Sequence, residues 1–276
     1  MTEQRLQEIV SGDEDDIDLA EAALLVASHA HPALDVPAYL ARIDELGATL
    51  NARIPAHAIV SQRITALNQY LFGDLGFAPN TEDYYDPRNS FLHDVLERRV
   101  GIPITLSVLY MEVGRRIGLS LQGVSFPGHF LVQCAVSDGM VVLDPYSGGI
   151  SLGVTELQKR LREVQGGEVS RAIIASLLVA AGKKEIILRM LRNLKAIYLR
   201  EQKLDKALAI MNWIVAAAPA QTLELRDRGM VYHELEAFRA AQADFEQYLQ
   251  LTPAAEDMDA IRLRVMELRK VTARLN

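Results

Sequence analysis

Apolar positions recur at helical spacing through the first hundred residues. Residues 18–29 form a continuous apolar face behind an acidic run, and acidic side chains suit the positive end of a helix. Pro32 ends that segment. Tyr39, Leu40, Ile43 and Leu46 predict a second helix over 37–51, and Ile59, Ile64, Leu67 and Leu71 a third over 56–72. Gly73 and Gly76 break the pattern. Residues 77–89 (FAPNTEDYYDPRN) are dense in Pro, Asn and Asp and predict a loop. A short helix follows over 90–99. A strongly apolar helix over 103–117 reads as buried, with Pro103 in its first turn, where a missing N–H costs nothing, and Gly118 at its end. The period then drops to two. Residues 120–125, 129–136 and 140–143 predict strands, the last two joined by the hairpin signal Ser137-Asp138-Gly139. Pro145 and Gly148-Gly149 close this sheet, residues 155–164 return to helix, and Gln165-Gly166-Gly167 suggests a domain boundary.

From Lys183 onward the pattern is helical and repeats itself. Tyr198 and Tyr232, Ala207 and Ala241, and Pro219 and Pro253 each stand 34 residues apart. That is the tetratricopeptide period, with small residues at close helix crossings and Pro after the second helix. Gly229 and Phe245 fit the pattern. The first repeat departs from it at Lys195, Met211 and Ile214. Residues 257–275 would form a terminal capping helix.

Composition narrows the class. The chain of 276 residues is 50% hydrophobic and 24% charged, a globular balance long enough for one large domain or two ordinary ones. A net charge of −7 without a basic cluster argues against nucleic acid or anionic lipid as a main partner. Cys134 is the lone cysteine, so there is no internal disulfide, and no Cys/His spacing resembles a zinc site. The N-terminus lacks the layout of a signal peptide, and apolar runs such as 172–182 are too short to cross a membrane. A cytoplasmic protein without cofactor or metal is the expectation.

The chemistry concentrates in residues 89–149. Gly101-Ile102-Pro103 starts the buried helix, Pro127-Gly128-His129-Phe130 precedes a strand, and Leu143-Asp144-Pro145 ends the next. This order resembles the transglutaminase-like superfamily, a branch of the papain-like architecture. There a Gly-X-Cys motif starts the helix, a His opens a strand, and an Asp orients that His. A helix N-terminus and a neighbouring His both stabilise a thiolate. The resemblance implies an α+β domain, helices packed on a small antiparallel sheet, over 1–165, and an all-α tetratricopeptide-type domain over 183–276. Arg115-Arg116-Ile117-Gly118 falls where the family's helix ends. The stretches DPRNSFLHDVLERRVGIPITLSVLYMEV, VSFPGHFL and LDPYSGG are similar to bacterial SirB-type proteins, for which a regulatory role has been suggested. His129 and Asp144 fall on two triad positions, and Pro103 falls on the third.

Pro103 has no reactive side-chain atom, so the expectation is a binding or regulatory protein that docks a protein or peptide through its repeats. The alternative is an amide or isopeptide hydrolase or transferase using His129 and Asp144 with water or Ser107. Ser107 also reads as a packing residue bonded to the preceding turn, and Thr105 as a satisfier of the helix start. Cys134 reads as a buried structural thiol. His129 and Asp144 also suit a buried hydrogen bond that fixes two strands, and no third ligand for a metal accompanies them. Tyr85, Asp86, Asn89 and Ser90 could line a pocket beside His129 or serve as turn residues bonding local backbone. The candidate binding residues are thus His129, Asp144, Tyr85, Asn89 and Ser107.

Overall fold

A computed structural model describes residues 2–274 and divides into two compact units, Met1–Met190 and Leu191–Asn276. Four helices open the first: α1 (Thr2–Ser11), α2 (Leu19–Leu25), α3 (Val36–Asn51) and α4 (Val60–Asn68). Asp18 caps α2 by accepting from the Glu21 N–H at 2.9 Å, and Asp35 caps α3 by accepting from Ala38 at 3.0 Å. α4 passes into a π-helical turn over Gln69–Asp74, so the apolar period that predicts one helix over 56–72 covers two geometries. The loop region carries a two-residue strand, β1 (Ala78–Pro79). After α5 (Leu92–Arg98), β1 pairs in parallel with β2 (Val100–Gly101).

The centre of this unit is α6 (Pro103–Arg116), in which every residue from Pro103 to Gly114 is buried. Its buried Glu112 is paired with Arg115 and Arg116. The apolar side chains are spread around the whole circumference, so the helix must be enclosed on all sides. It packs against α2, α3, α4 and α5, and against an antiparallel sheet of β3 (Leu121–Val124), β4 (Leu131–Val136), β5 (Gly139–Asp144) and β6 (Ile150–Ser151), adjacent in that order. Val132 stands opposite Leu143 on one side and Gly123 on the other. α7 (Val154–Gln165) and α8 (Arg171–Leu177) complete the unit, with Leu157, Leu161 and Ile174 packing on Val124, Phe126, Leu131 and Val142 of the sheet region. The Gly166-Gly167 turn therefore lies inside this unit, with α8 beyond it in the same core.

α9 (Lys183–Arg200) starts in the first unit. Leading into it, the Ala181 N–H donates to the Gly123 carbonyl at 2.8 Å. The second unit continues α9 and adds α10 (Leu204–Ala217), α11 (Thr222–Glu234), α12 (Phe238–Leu251) and α13 (Met258–Arg274). Leu275, the predicted end of the capping helix, lies outside the described residues. The repeat residues Tyr198, Ala207, Met211, Ala241 and Phe245 are buried. Lys195, a departure from the small-residue pattern, has a reason: its Nζ pairs with Glu224 at 2.6 Å and Asp227 at 2.7 Å, tying α9 to α11 through charge. The architecture is thus a mixed α+β region with a small antiparallel sheet, followed by an all-helical region, as the sequence predicts. Among the described residues no helix is long and apolar enough to cross a membrane.

Candidate functional site

His129 sits in the turn before β4 rather than in the strand itself. Gly128 makes that turn with φ +70°, a backbone region that side chains with a Cβ rarely adopt. The His129 N–H donates to the Phe126 carbonyl at 3.0 Å, which closes the turn. Its Nε2 lies 2.9 Å from Asp144 Oδ1, at the end of β5, so the sheet register brings the two together. Facing the ionised Asp144 carboxylate, Nε2 is the donor of this bond. Nδ1 has no hydrogen-bond partner among the described residues.

Asp144 is 0% exposed. Its Oδ1 also accepts from the Tyr146 and Ser147 N–H groups at 3.0 and 3.3 Å. Its Oδ2 accepts from Ser147 Oγ at 2.7 Å and Arg160 Nη1 at 2.6 Å. Burial alone would raise the carboxyl's pKa, but the bonds from His129, Ser147 and Arg160 outweigh it and hold the group at about 2. One negative charge is therefore shared between His129 and Arg160.

Pro103 is the first residue of α6 and is buried, and α6 packs against both β4 and the turn Pro145–Ser147 that follows Asp144. The two hydroxyls near this helix start are committed elsewhere. Thr105 Oγ1 donates to the Asn89 carbonyl at 2.8 Å and accepts from the Ile102 N–H at 3.2 Å. Ser107 Oγ points to the Phe130 carbonyl at 3.4 Å, a long contact from a fully buried group. Cys134 is buried, its thiol is pushed up by desolvation, and its one weak contact is to the Ala135 carbonyl.

Asn89 is buried and holds the loop together. Its Nδ2 donates to the Asp83 carbonyl at 2.7 Å, and its Oδ1 accepts from Asn80 Nδ2 at 3.0 Å. Asp86 accepts from the Arg88 backbone and guanidinium. Tyr85 is 51% exposed and meets Tyr84 edge-on at 5.3 Å. Desolvation raises the Tyr84 phenol, with smaller contributions from Tyr146 and Tyr85, and the Arg189 charge opposes the rise. The Tyr146 ring stands edge-on to His129 at 5.6 Å. The loop tyrosines and the His129 turn thus share one region.

Sequence reasoning misses Arg160 and Arg189. Arg189 Nη2 donates to the His129 carbonyl at 2.6 Å, and its guanidinium lies over the Phe130 ring at 5.4 Å. Desolvation lowers its pKa, and no carboxylate pairs with it among the described residues. Neither arginine carries a local signal, because each reaches the site from a helix whose own pattern reports only amphipathicity. Tyr146 and Ser147 were findable, since Asp-Pro-Tyr-Ser after a strand suits a carboxylate that bonds the backbone two residues on. A separate cleft of about 780 Å³ between α4 and the β5–β6 edge is lined by Ile64, Thr65, Asn68, Val141, Leu143 and Ile150, and by none of the predicted binding residues.

A buried helix packed on the strand and turn that adjoin a His–Asp pair, followed by helices with a 34-residue period, defines a transglutaminase-like core with a tetratricopeptide tail. Family comparison agrees: residues 37–192 match the transglutaminase-like superfamily and residues 194–266 a tetratricopeptide repeat. A UPF0162 protein of Xylella fastidiosa (strain 9a5c) is 40% identical over 258 residues, 93% of this chain and 92% of that protein. A UPF0162 protein of Pseudomonas aeruginosa is 29% identical over 256 residues, 93% of each chain. F-box only protein 21 of Mus musculus is 34% identical over 149 residues, 51% of this chain and 22% of that protein. No solved structure gives a significant match. The chain belongs to the UPF0162 family, within the transglutaminase-like superfamily.

Proposed function

We propose that this chain is a cytoplasmic, non-catalytic protein-binding or regulatory protein. In this reading residues 1–165 are a transglutaminase-like scaffold, and the helical repeats of residues 183–276 dock a protein or peptide. The observation that carries it is Pro103 at the first turn of α6, where the family's thiol would stand. A proline offers no attacking atom, and the nearby Thr105 and Ser107 hydroxyls bond backbone carbonyls instead. Sharing of the Asp144 charge with Arg160 weakens its support for a positive imidazole, which a general base becomes during reaction. His129 then serves as a hydrogen-bond acceptor, with Asp144 behind it and Tyr85 at the rim, while Asn89 and Ser107 hold the walls. The match to a segment of a much longer F-box protein suits a module that serves other parts of a chain. The resemblance to SirB-type proteins points the same way.

The competing reading is an amide or isopeptide hydrolase or transferase. Its support is Nδ1 of His129, which has no partner among the described residues and is the atom a base would use. A panel of amide and glutaminyl substrates separates the two. The proposal expects no turnover above background in the native chain or in His129→Ala. Turnover that His129→Ala abolishes would overturn it. For docking, a partner captured by the full chain and held equally by residues 1–190 alone would count against the repeats.

A further inference from the structure

Outside this site, the turn after α2 and the start of α5 bring His31, His93 and Asp94 together. One ligand atom from each lies within 4.8 Å of the others. The cluster is not a closed hydrogen-bonded network. His93 Nε2 and Asp94 Oδ2 are 3.6 Å apart, too far for a hydrogen bond. His93 is 7% exposed, and neither its Nδ1 nor Asp94 Oδ2 has a hydrogen-bond partner. Among the described residues five buried side-chain polar atoms lack partners, and four of them belong to Ser28, Ser90, His93 and Asp94, in the two segments that build this cluster. Folded interiors seldom leave such groups unmet, and the unmet Asp94 Oδ2, within the cluster itself, calls for a missing partner. The Phe91 and Tyr39 rings flank the His93 ring at 5.9 and 5.6 Å and hold it in place, while the Tyr39 hydroxyl is turned to Glu97.

We propose that His31, His93 and Asp94 bind a divalent transition-metal ion of the zinc class. Two imidazoles and one carboxylate suit Zn²⁺, whereas Mg²⁺ and Ca²⁺ favour all-oxygen sets. Three protein ligands leave a fourth position for water. Bonds of about 2.0 Å in a tetrahedron place ligand atoms roughly 3.3 Å apart, so the site tightens on binding. His31 is exposed and lies outside regular structure, so it has the freedom to close on the ion. The ion would then tie the turn after α2 to α5.

The test uses the full chain, freed of metal and titrated with Zn²⁺ alone by calorimetry, with Co²⁺ as an optical probe of coordination. His31→Gln removes an exposed ligand whose ring meets the core only edge-on, at Phe91 and His93, and the thermal midpoint without metal reports whether the fold is kept. Asp94→Asn removes a charge while keeping shape. His57→Gln, exposed and outside the cluster, is the control. The expected result is one ion per native chain and a thermal midpoint that Zn²⁺ raises, because the ion binds the folded state. Affinity falls about tenfold or more in His31→Gln and Asp94→Asn, and His57→Gln behaves as the native chain. Equal affinity in the native chain and His31→Gln, or no binding by the folded native chain, would overturn the proposal.

Discussion

Asp144 carries its charge with no exposure to solvent, and it does so because five hydrogen-bond donors converge on two oxygens. Its folded pKa of about 2 lies below the ordinary carboxyl value. A depressed carboxyl stabilises the fold above its unfolded pKa, and that contribution disappears as pH falls toward the folded pKa. The shift corresponds to roughly 2–3 kcal/mol, to order of magnitude. Asp144→Asn is therefore expected to lower the urea midpoint at neutral pH and to flatten its fall between about pH 4 and 2. An unchanged acid slope would contradict the assignment. The meeting of His129 with Asp144 and the opening of a buried helix at Pro103 were legible in the sequence, because each residue stands in a short motif that also fixes its backbone. Arg160 and Arg189 were not, since the distance from Asp144 to an α7 side chain is set by packing. Asn89 shows the limit of composition: a loop rich in Asn and Asp does not say which amide turns inward to pin it.

Among the elements, the α11–α12 hairpin rests on close approach. A Cβ placed on Gly229 would fall 2.6 Å from Phe245 Cε1, and Phe245 is fully buried. Overpacking of this kind costs about 1–3 kcal/mol, against about 1 kcal/mol that Ala gains over Gly in a helix. Gly229→Ala is expected to lower the thermal midpoint of the chain, and Phe245→Leu in that background to recover part of the loss. A midpoint that rises in Gly229→Ala would show that the crossing is looser than the geometry requires. The 34-residue period was legible because helical hairpins repeat side-chain sizes at fixed positions. β1, β2 and β6 were not, because strands of two residues have no period to detect. α8 escaped for a different reason: its apolar run reads equally as buried coil, and only the packing of Ile174 on Leu157 and Leu161 settles its place.

For the molecule as a whole, a transglutaminase-like core is followed by tetratricopeptide helices, and the proposed function takes the core's triad to lack one member. In the proposed reading, Pro103 at the start of α6 stands at the attacking position opposite the His129–Asp144 pair. On that reading, Pro103→Cys supplies the missing atom. The introduced thiol would gain from the helix dipole and from His129. Cys134 interferes little, because its buried thiol is held above the ordinary range. The measurement is the pH dependence of alkylation of Pro103→Cys, alone and combined with His129→Ala. The account predicts reaction well below the ordinary thiol pKa of about 8.5, slowed about tenfold or more when His129 is also replaced. Alkylation that follows an ordinary thiol and ignores His129 would contradict it.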